Sequence, residues 1–148
     1  MILGFTGTRE EPSKAQRLWL VDYLLEHTPS EFHHGCCRGS DAFAHRAAKQ
    51  CDIKGPIQII LHPPSNSKDE MKYEDWDYAN CVWWPKKPYA DRNYDIVGEA
   101  EGMIAFPKGP EQQRGSGTWQ TIRATLRAKK PIILVYPDGK IEMKSGAQ

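Results

Sequence analysis

The chain has 148 residues, with 20 basic and 19 acidic side chains and a formal net charge of +1. No overall field is therefore available to hold a polyanion, and an anionic ligand must be met by a local patch. The absence of any apolar run near the ~20 residues of a membrane span, and of a basic, apolar leader at the N-terminus, excludes a spanning segment and a signal peptide and makes the cytoplasm the expected location.

A hydrophobic fraction of 39% is ordinary for a globular chain, whereas five tryptophans are many for this length. The length suits one domain, residues 1–148, able to bury a core without staples. Cys36, Cys37, Cys51 and Cys81 contain no CxxC pair, so reduced thiols are expected.

Ile2, Leu3 and Phe5 read as a short buried strand that breaks at Gly7. Ser13 followed by Gln16 is a capping box opening a helix to about His27, with Leu18, Val21, Leu24 and Leu25 as its apolar face. Phe32 to His34 is a weak strand, and Phe43, Ala44, Ala47 and Ala48 recur at helical spacing behind Ser40 or Asp41 as N-cap. The apolar run Ile57 to Leu61 suits a strand covered on both faces. Residues 63–91 form a long polar and aromatic insertion with one short helix around Lys68 to Asn80. A helix from about Arg92 to Ala100, a strand at Met103 to Phe106, a helix from Thr118 to Lys129 and a strand at Pro131 to Tyr136 follow, and Lys140 to Lys144 adds an edge strand after the Asp138-Gly139 turn. Strands separated by helices predict a single-domain α/β, Rossmann-like fold: a mostly parallel sheet of about five strands with helices on both faces.

Three loops each follow a strand and precede a helix: Gly7-Thr8-Arg9, Gly35 to Asp41, and Arg114-Gly115-Ser116-Gly117-Thr118. On a parallel sheet they lie along one edge, so their glycines, hydroxyls and amides can converge on one ligand, with Arg9, Arg38, Arg92 or Arg114 supplying charge-assisted bonds. A phosphate-bearing ligand is the expectation, although turns and N-caps demand the same residue types. Asp41 fits equally an N-cap or an acceptor for ribose hydroxyls. His33-His34-Gly35-Cys36-Cys37 crowds four potential ligands, but alternate residues of a strand face opposite sides, and no metal site is expected. The aromatic stretch from Tyr73 to Tyr89 is read either as a lid over a base, or as packing against the sheet edge or a subunit contact in a homodimer or higher homo-oligomer.

Gly4 to Arg9, His34 to Asp41 with Ala44 and Ala48, Arg92-Asn93, Met103 to Pro107 and Arg114 to Thr118 together resemble the SLOG superfamily, which contains the DNA-processing protein DprA/Smf and the LOG phosphoribohydrolases. The small stand-alone YspA-like branch is the nearest in flavour. The resemblance implies a pocket for a nucleotide or nucleotide derivative, with no further cofactor, in a sensor or scavenger. In that pocket Gly7, Thr8, Arg9, Gly35, Arg38, Gly39, Ser40, Arg114, Gly115, Ser116, Gly117 and Thr118 hold phosphate or ribose, and Arg92-Asn93 orients it. The LOG enzymes cleave an N-glycosidic bond with an arginine, matched by Arg92, and a glutamate, whose position is taken by Thr121. Should the chain hydrolyse such a bond, Asp41 or Glu99 is left as the acid beside Arg92. Single-stranded DNA binding in the manner of DprA is the further alternative, opposed by the near-neutral charge.

Overall fold

The computed structural model describes residues 1–72, 80–110 and 116–146. Strand β1 (Ile2–Gly7) is buried along its middle on both faces, as the run of apolar and small residues requires. The Ser13 capping box then opens α1 (Lys14–Glu26): Ser13 Oγ accepts from the Gln16 amide at 3.1 Å, and the Ser13 amide donates to Gln16 Oε1 at 2.9 Å. The same Gln16 side chain, itself buried, donates to the Val135 carbonyl at 2.8 Å and seats the helix on the sheet.

The remaining elements are β2 (Glu31–His34), α2 (Ser40–Gln50), β3 (Gln58–Leu61), β4 (Val82–Trp83), α3 (Tyr89–Glu99), β5 (Gly102–Phe106), α4 (Gly117–Arg127), β6 (Pro131–Val135) and β7 (Ile141–Ser145). They form one seven-stranded sheet in the order β4-β3-β2-β1-β5-β6-β7. Every pairing is parallel except that of β7 with β6. The sheet has seven strands rather than about five: β7 is the edge strand expected at Lys140 to Lys144, and β4, a two-residue parallel strand too short to show a period, joins the other edge.

Helices α1 and α2 cover one face, burying Leu20, Leu24, Ala44 and Ala48 against Phe5, Phe32 and Leu61. Helices α3 and α4 cover the other, with Ile96, Trp119 and Ile122 against Met103, Ile132 and Leu134. From β1 the chain winds outward through β2, β3 and β4, then crosses back to place β5 on the other side of β1. The crevice between the C-terminal ends of β1 and β5 is thus where the strand order reverses, the position at which open α/β sheets take ligands.

The long connection between β3 and α3 is tied down. Asp69 closes a one-turn 3-10 helix (Ser67–Asp69), and the next residues pair with the loop after β2: the Arg38 amide donates to the Asp69 carbonyl at 2.8 Å and the Met71 amide to the Cys36 carbonyl at 2.7 Å. Met71 is buried in the core beneath α2. Most of the helix expected at Lys68 to Asn80, residues 73–79, lies outside the described residues.

Candidate functional site

A cavity of about 410 Å³ occupies the crevice. Its volume falls in the ~300–1,000 Å³ range of small-molecule sites. The loop after β1 contributes Gly7, Thr8, Arg9 and Glu10; the loop after β2 contributes Gly35, Cys37 and Arg38, and α2 adds Asp41. Tyr89, Arg92, Asn93 and Ile96 enter from α3, Lys108 from the loop after β5, and Ser116, Gly117 and Thr118 from the start of α4.

Arg92 is 6% exposed and is held from the first turn of α3. Its Nη1 donates to the carbonyls of Gly35 and, at 3.4 Å, His62, and lies 3.7 Å from Cys37 Sγ. Its Nε is buried with no partner among the described residues. An orphaned guanidinium N–H is costly unless something else meets it. The ring of Tyr89 lies between two guanidinium groups, with Arg9 4.6 Å and Arg92 5.3 Å from its centroid. Asp69 braces the outer wall, forming an ion pair with Arg9 Nε at 3.3 Å and accepting from Arg38 Nε at 3.1 Å. Desolvation pushes its carboxyl up, but the Arg38 hydrogen bond and the charges of Arg9 and Arg38 together outweigh it and hold the group below the ordinary range.

Helix starts supply the remaining polarity. Ser116 caps α4 by accepting from the Trp119 amide at 3.3 Å, while among the described residues no acceptor meets the first-turn amides of Gly117 and Thr118. Such amides at a helix start are open to an anion. Asp41, in the first turn of α2, reaches back to the loop before the helix and accepts from the Cys37 amide at 3.1 Å. Burial pushes the Asp41 carboxyl up to about 6, with Arg92 and the amides of Cys37 and Gly35 pulling the other way. Burial likewise raises the Cys37 thiol, so despite its arginine neighbours it is not an activated thiolate.

No family model matches the chain, and no curated protein does. Solved structures do. A molybdenum cofactor binding protein from the phototrophic bacterium Rippkaea orientalis superposes with a TM-score of 0.62 at 21% identity, over 91% of this chain and 76% of that one. The structural-genomics target TM1055 gives 0.62 at 16% identity, over 91% and 74%. DNA processing protein A (DprA) from Streptococcus pneumoniae gives 0.56 at 17% identity; 90% of this chain is covered, but only 50% of that one. What these three structures share with this chain is the fold.

Within this fold the structure gathers Gly7, Thr8, Arg9, Gly35, Arg38, Asp41, Arg92, Asn93, Ser116, Gly117 and Thr118 around one cavity. Gly39 and Ser40 stand behind the wall. Gly39 has φ +82°, and a Cβ there would run into the Arg9 carbonyl. Ser40 is 1% exposed; its amide donates to the Thr8 carbonyl at 3.1 Å, and its hydroxyl to the Glu10 carbonyl at 3.4 Å. Both residues lock the first two loops together. Glu99 is not among the lining residues: α3 begins at the cavity and runs to the opposite sheet edge, so seven residues beyond Arg92 it is exposed at the far end, ~10 Å along the helix. Arg114 and Gly115 lie outside the described residues.

Tyr89, Asp69 and Lys108 carry parts of the site that residue patterns left unassigned. Lys108 follows β5 directly, and its position after a strand of a parallel sheet was the available signal. The paired histidines face opposite ways, as strand alternation requires: His33 Nδ1 meets His62 Nε2 at 2.8 Å on one face, and His34 Nε2 meets His45 Nδ1 at 2.8 Å on the other. Among the described residues no group of three or more His, Cys, Asp or Glu side chains could hold a metal ion. Among the described residues no helix is long and apolar enough to cross a membrane.

Proposed function

We propose that the protein binds a nucleotide or nucleotide-derived small molecule in the crevice between β1 and β5, with the phosphate seated on the start of α4. The supporting observation is a convergence of donors on one cavity: Arg92 lines it, and so do Gly117 and Thr118, whose first-turn amides meet no acceptor among the described residues. Arg9, partly exposed and loosely paired, is the mobile cation that closes on the ligand, and Tyr89 offers a ring to it or to a base. The molybdenum cofactor binding protein that shares the fold makes a small-molecule ligand the natural comparison. Thermal-shift measurements with AMP, NAD, ADP-ribose and cyclic nucleotides test the reading. A rise in melting temperature that disappears in Gly117→Asp is expected; no rise with any of them defeats it.

One observation favours a hydrolytic second reading. Asp41, raised to about 6 inside the cavity, has the tuning of a general acid beside a sugar, while Thr121 carries no carboxylate and donates its hydroxyl to the Gly117 carbonyl at 2.9 Å. Water would then displace the base from a nucleoside monophosphate, with Asp41 giving a proton to the leaving nitrogen. Release of free base, lost in Asp41→Asn, is the expected outcome. Undiminished release in that variant removes Asp41 from the reaction.

A further inference from the structure

Among the described residues no strand pairs with the outer side of β7, the last strand of the sheet. The Tyr136 amide donates to the Lys140 carbonyl at 2.9 Å, and this fixes the alternation along the β6–β7 ladder. Glu142 and Lys144 turn their backbone groups toward β6, whereas those of Ile141, Met143 and Ser145 point away from the sheet. The side chains follow the same alternation. Ile141 and Met143, opposite Val135 and Ile133, lie on the α1 face and are 43% and 75% exposed. Glu142 and Lys144 lie on the α4 face. Polar groups and apolar side chains are thus presented together along five residues, an arrangement that invites another strand.

From this edge we infer that a second copy of the chain is the partner, joined by antiparallel β7–β7 pairing about a two-fold axis at Met143. The sequence around Met143 is self-complementary in that register. Met143 faces its own equivalent in a hydrogen-bonded pair, using the outward backbone groups, and Glu142 of each copy stands opposite Lys144 of the other in the closer, non-hydrogen-bonded pairs. A two-fold contact requires one patch to fit itself, and this charge order does so without a mismatch. Ile141 and Met143 of both copies meet on the α1 face. Trp19 and Tyr23, stacked at 5.0 Å on the side of α1 that carries Ala15, flank them, because Ala15 adjoins Gly139 in the β6–β7 turn. One strand pair buries less than the ~1,200 Å² of a standard interface, so the association is weak and concentration-dependent.

Sedimentation equilibrium of the full chain from about 1 µM to about 1 mM brackets such an association. A monomer–dimer equilibrium is expected; a monomer throughout overturns the inference. Met143→Pro removes only the outward N–H, which an edge strand tolerates, and should abolish the dimer with the melting temperature nearly unchanged. Lys144→Glu should weaken the dimer by roughly tenfold, by setting Glu142 against glutamate in both symmetric pairs. The charge-swapped Glu142→Lys, Lys144→Glu double variant should restore it. A dimer indifferent to Lys144→Glu, or not rescued by the swap, places the contact elsewhere and overturns the assignment even if Met143→Pro fails to fold.

Discussion

The Arg92 guanidinium donates to the carbonyl of Gly35, fastening the first turn of α3 to the loop after β2 across the mouth of the crevice. A side chain 6% exposed therefore holds two walls of the pocket, and its buried Nε has no partner among the described residues. Arg92→Lys keeps the charge but cannot span the Gly35 and His62 carbonyls with the same planar fork. Leaving those carbonyls buried and unpaired should cost about 2–3 kcal/mol, read as a lowered urea midpoint with an unchanged m-value. Nucleotide-induced stabilisation should vanish in the same variant.

Two glycines separate folding from binding. Gly39 combines a left-handed φ of +82° with a Cβ position against the Arg9 backbone, so Gly39→Ala should destabilise by about 1–3 kcal/mol. At Gly117 a Cβ meets nothing within 4 Å among the described residues. Gly117→Ala should leave the unliganded melting temperature nearly unaltered, yet weaken a ligand whose phosphate approaches the helix start, which paired thermal-shift curves with and without AMP would reveal.

Asp41 imposes a pH dependence whose sign is unusual for a carboxylate. Its folded value, about 6, lies above the ordinary 3.8, so the native state holds a proton that the unfolded state has released. Stability from this group is present below about pH 4 and declines as pH rises to about 6, by a total on the order of 2–3 kcal/mol. His62, lowered to about 3 by burial and then by His33, acts in the opposite sense: it is neutral when folded, and stability falls as the medium becomes more acidic than pH 6.5. The two slopes oppose each other between pH 4 and 6. Denaturant titrations of Asp41→Asn against the parent at several pH values isolate one from the other, and the variant should gain relative stability steadily from pH 4 to pH 7.

Asp69→Ala should leave the urea midpoint nearly unchanged, since Arg9 and Arg38 are 44% and 60% exposed in their pairs with it. Its effect belongs to binding. Freed from Asp69, Arg9 loses its orientation over Tyr89, and calorimetric titration should show a weaker, more salt-sensitive interaction with the anionic ligand.

The elements that sequence alone revealed are those with a strong period or a local cap. The Ser13–Gln16 box and the apolar runs of β1, β3, β5 and β6 each carry their reason within a few residues, and the order of strands and helices then fixes which loops share an edge. What stayed hidden is non-local. Val82–Trp83 becomes a strand only because β3 lies beside it, and α3 starts at Tyr89 rather than Arg92 because the turn after Pro88 is already helical. Asp69 counts among several acids of a polar stretch until the chain folds back to set it between Arg9 and Arg38. Ser40 reads as a ligand-facing hydroxyl in a glycine-rich loop; its burial beneath Thr8 and Glu10 depends on how two loops distant in sequence stack.

The short antiparallel contact between residues 36–38 and 69–71, with Met71 sunk into the core, has a kinetic meaning. The stretch carrying Asp69 cannot lift away from the pocket without extracting a buried methionine, so the amides of Arg38 and Met71 should exchange with solvent deuterium together and slowly, at rates set by one shared opening. Entry of a ligand is then left to the side chains of Arg9 and Lys108, which reorient in nanoseconds while the backbone around them stays closed.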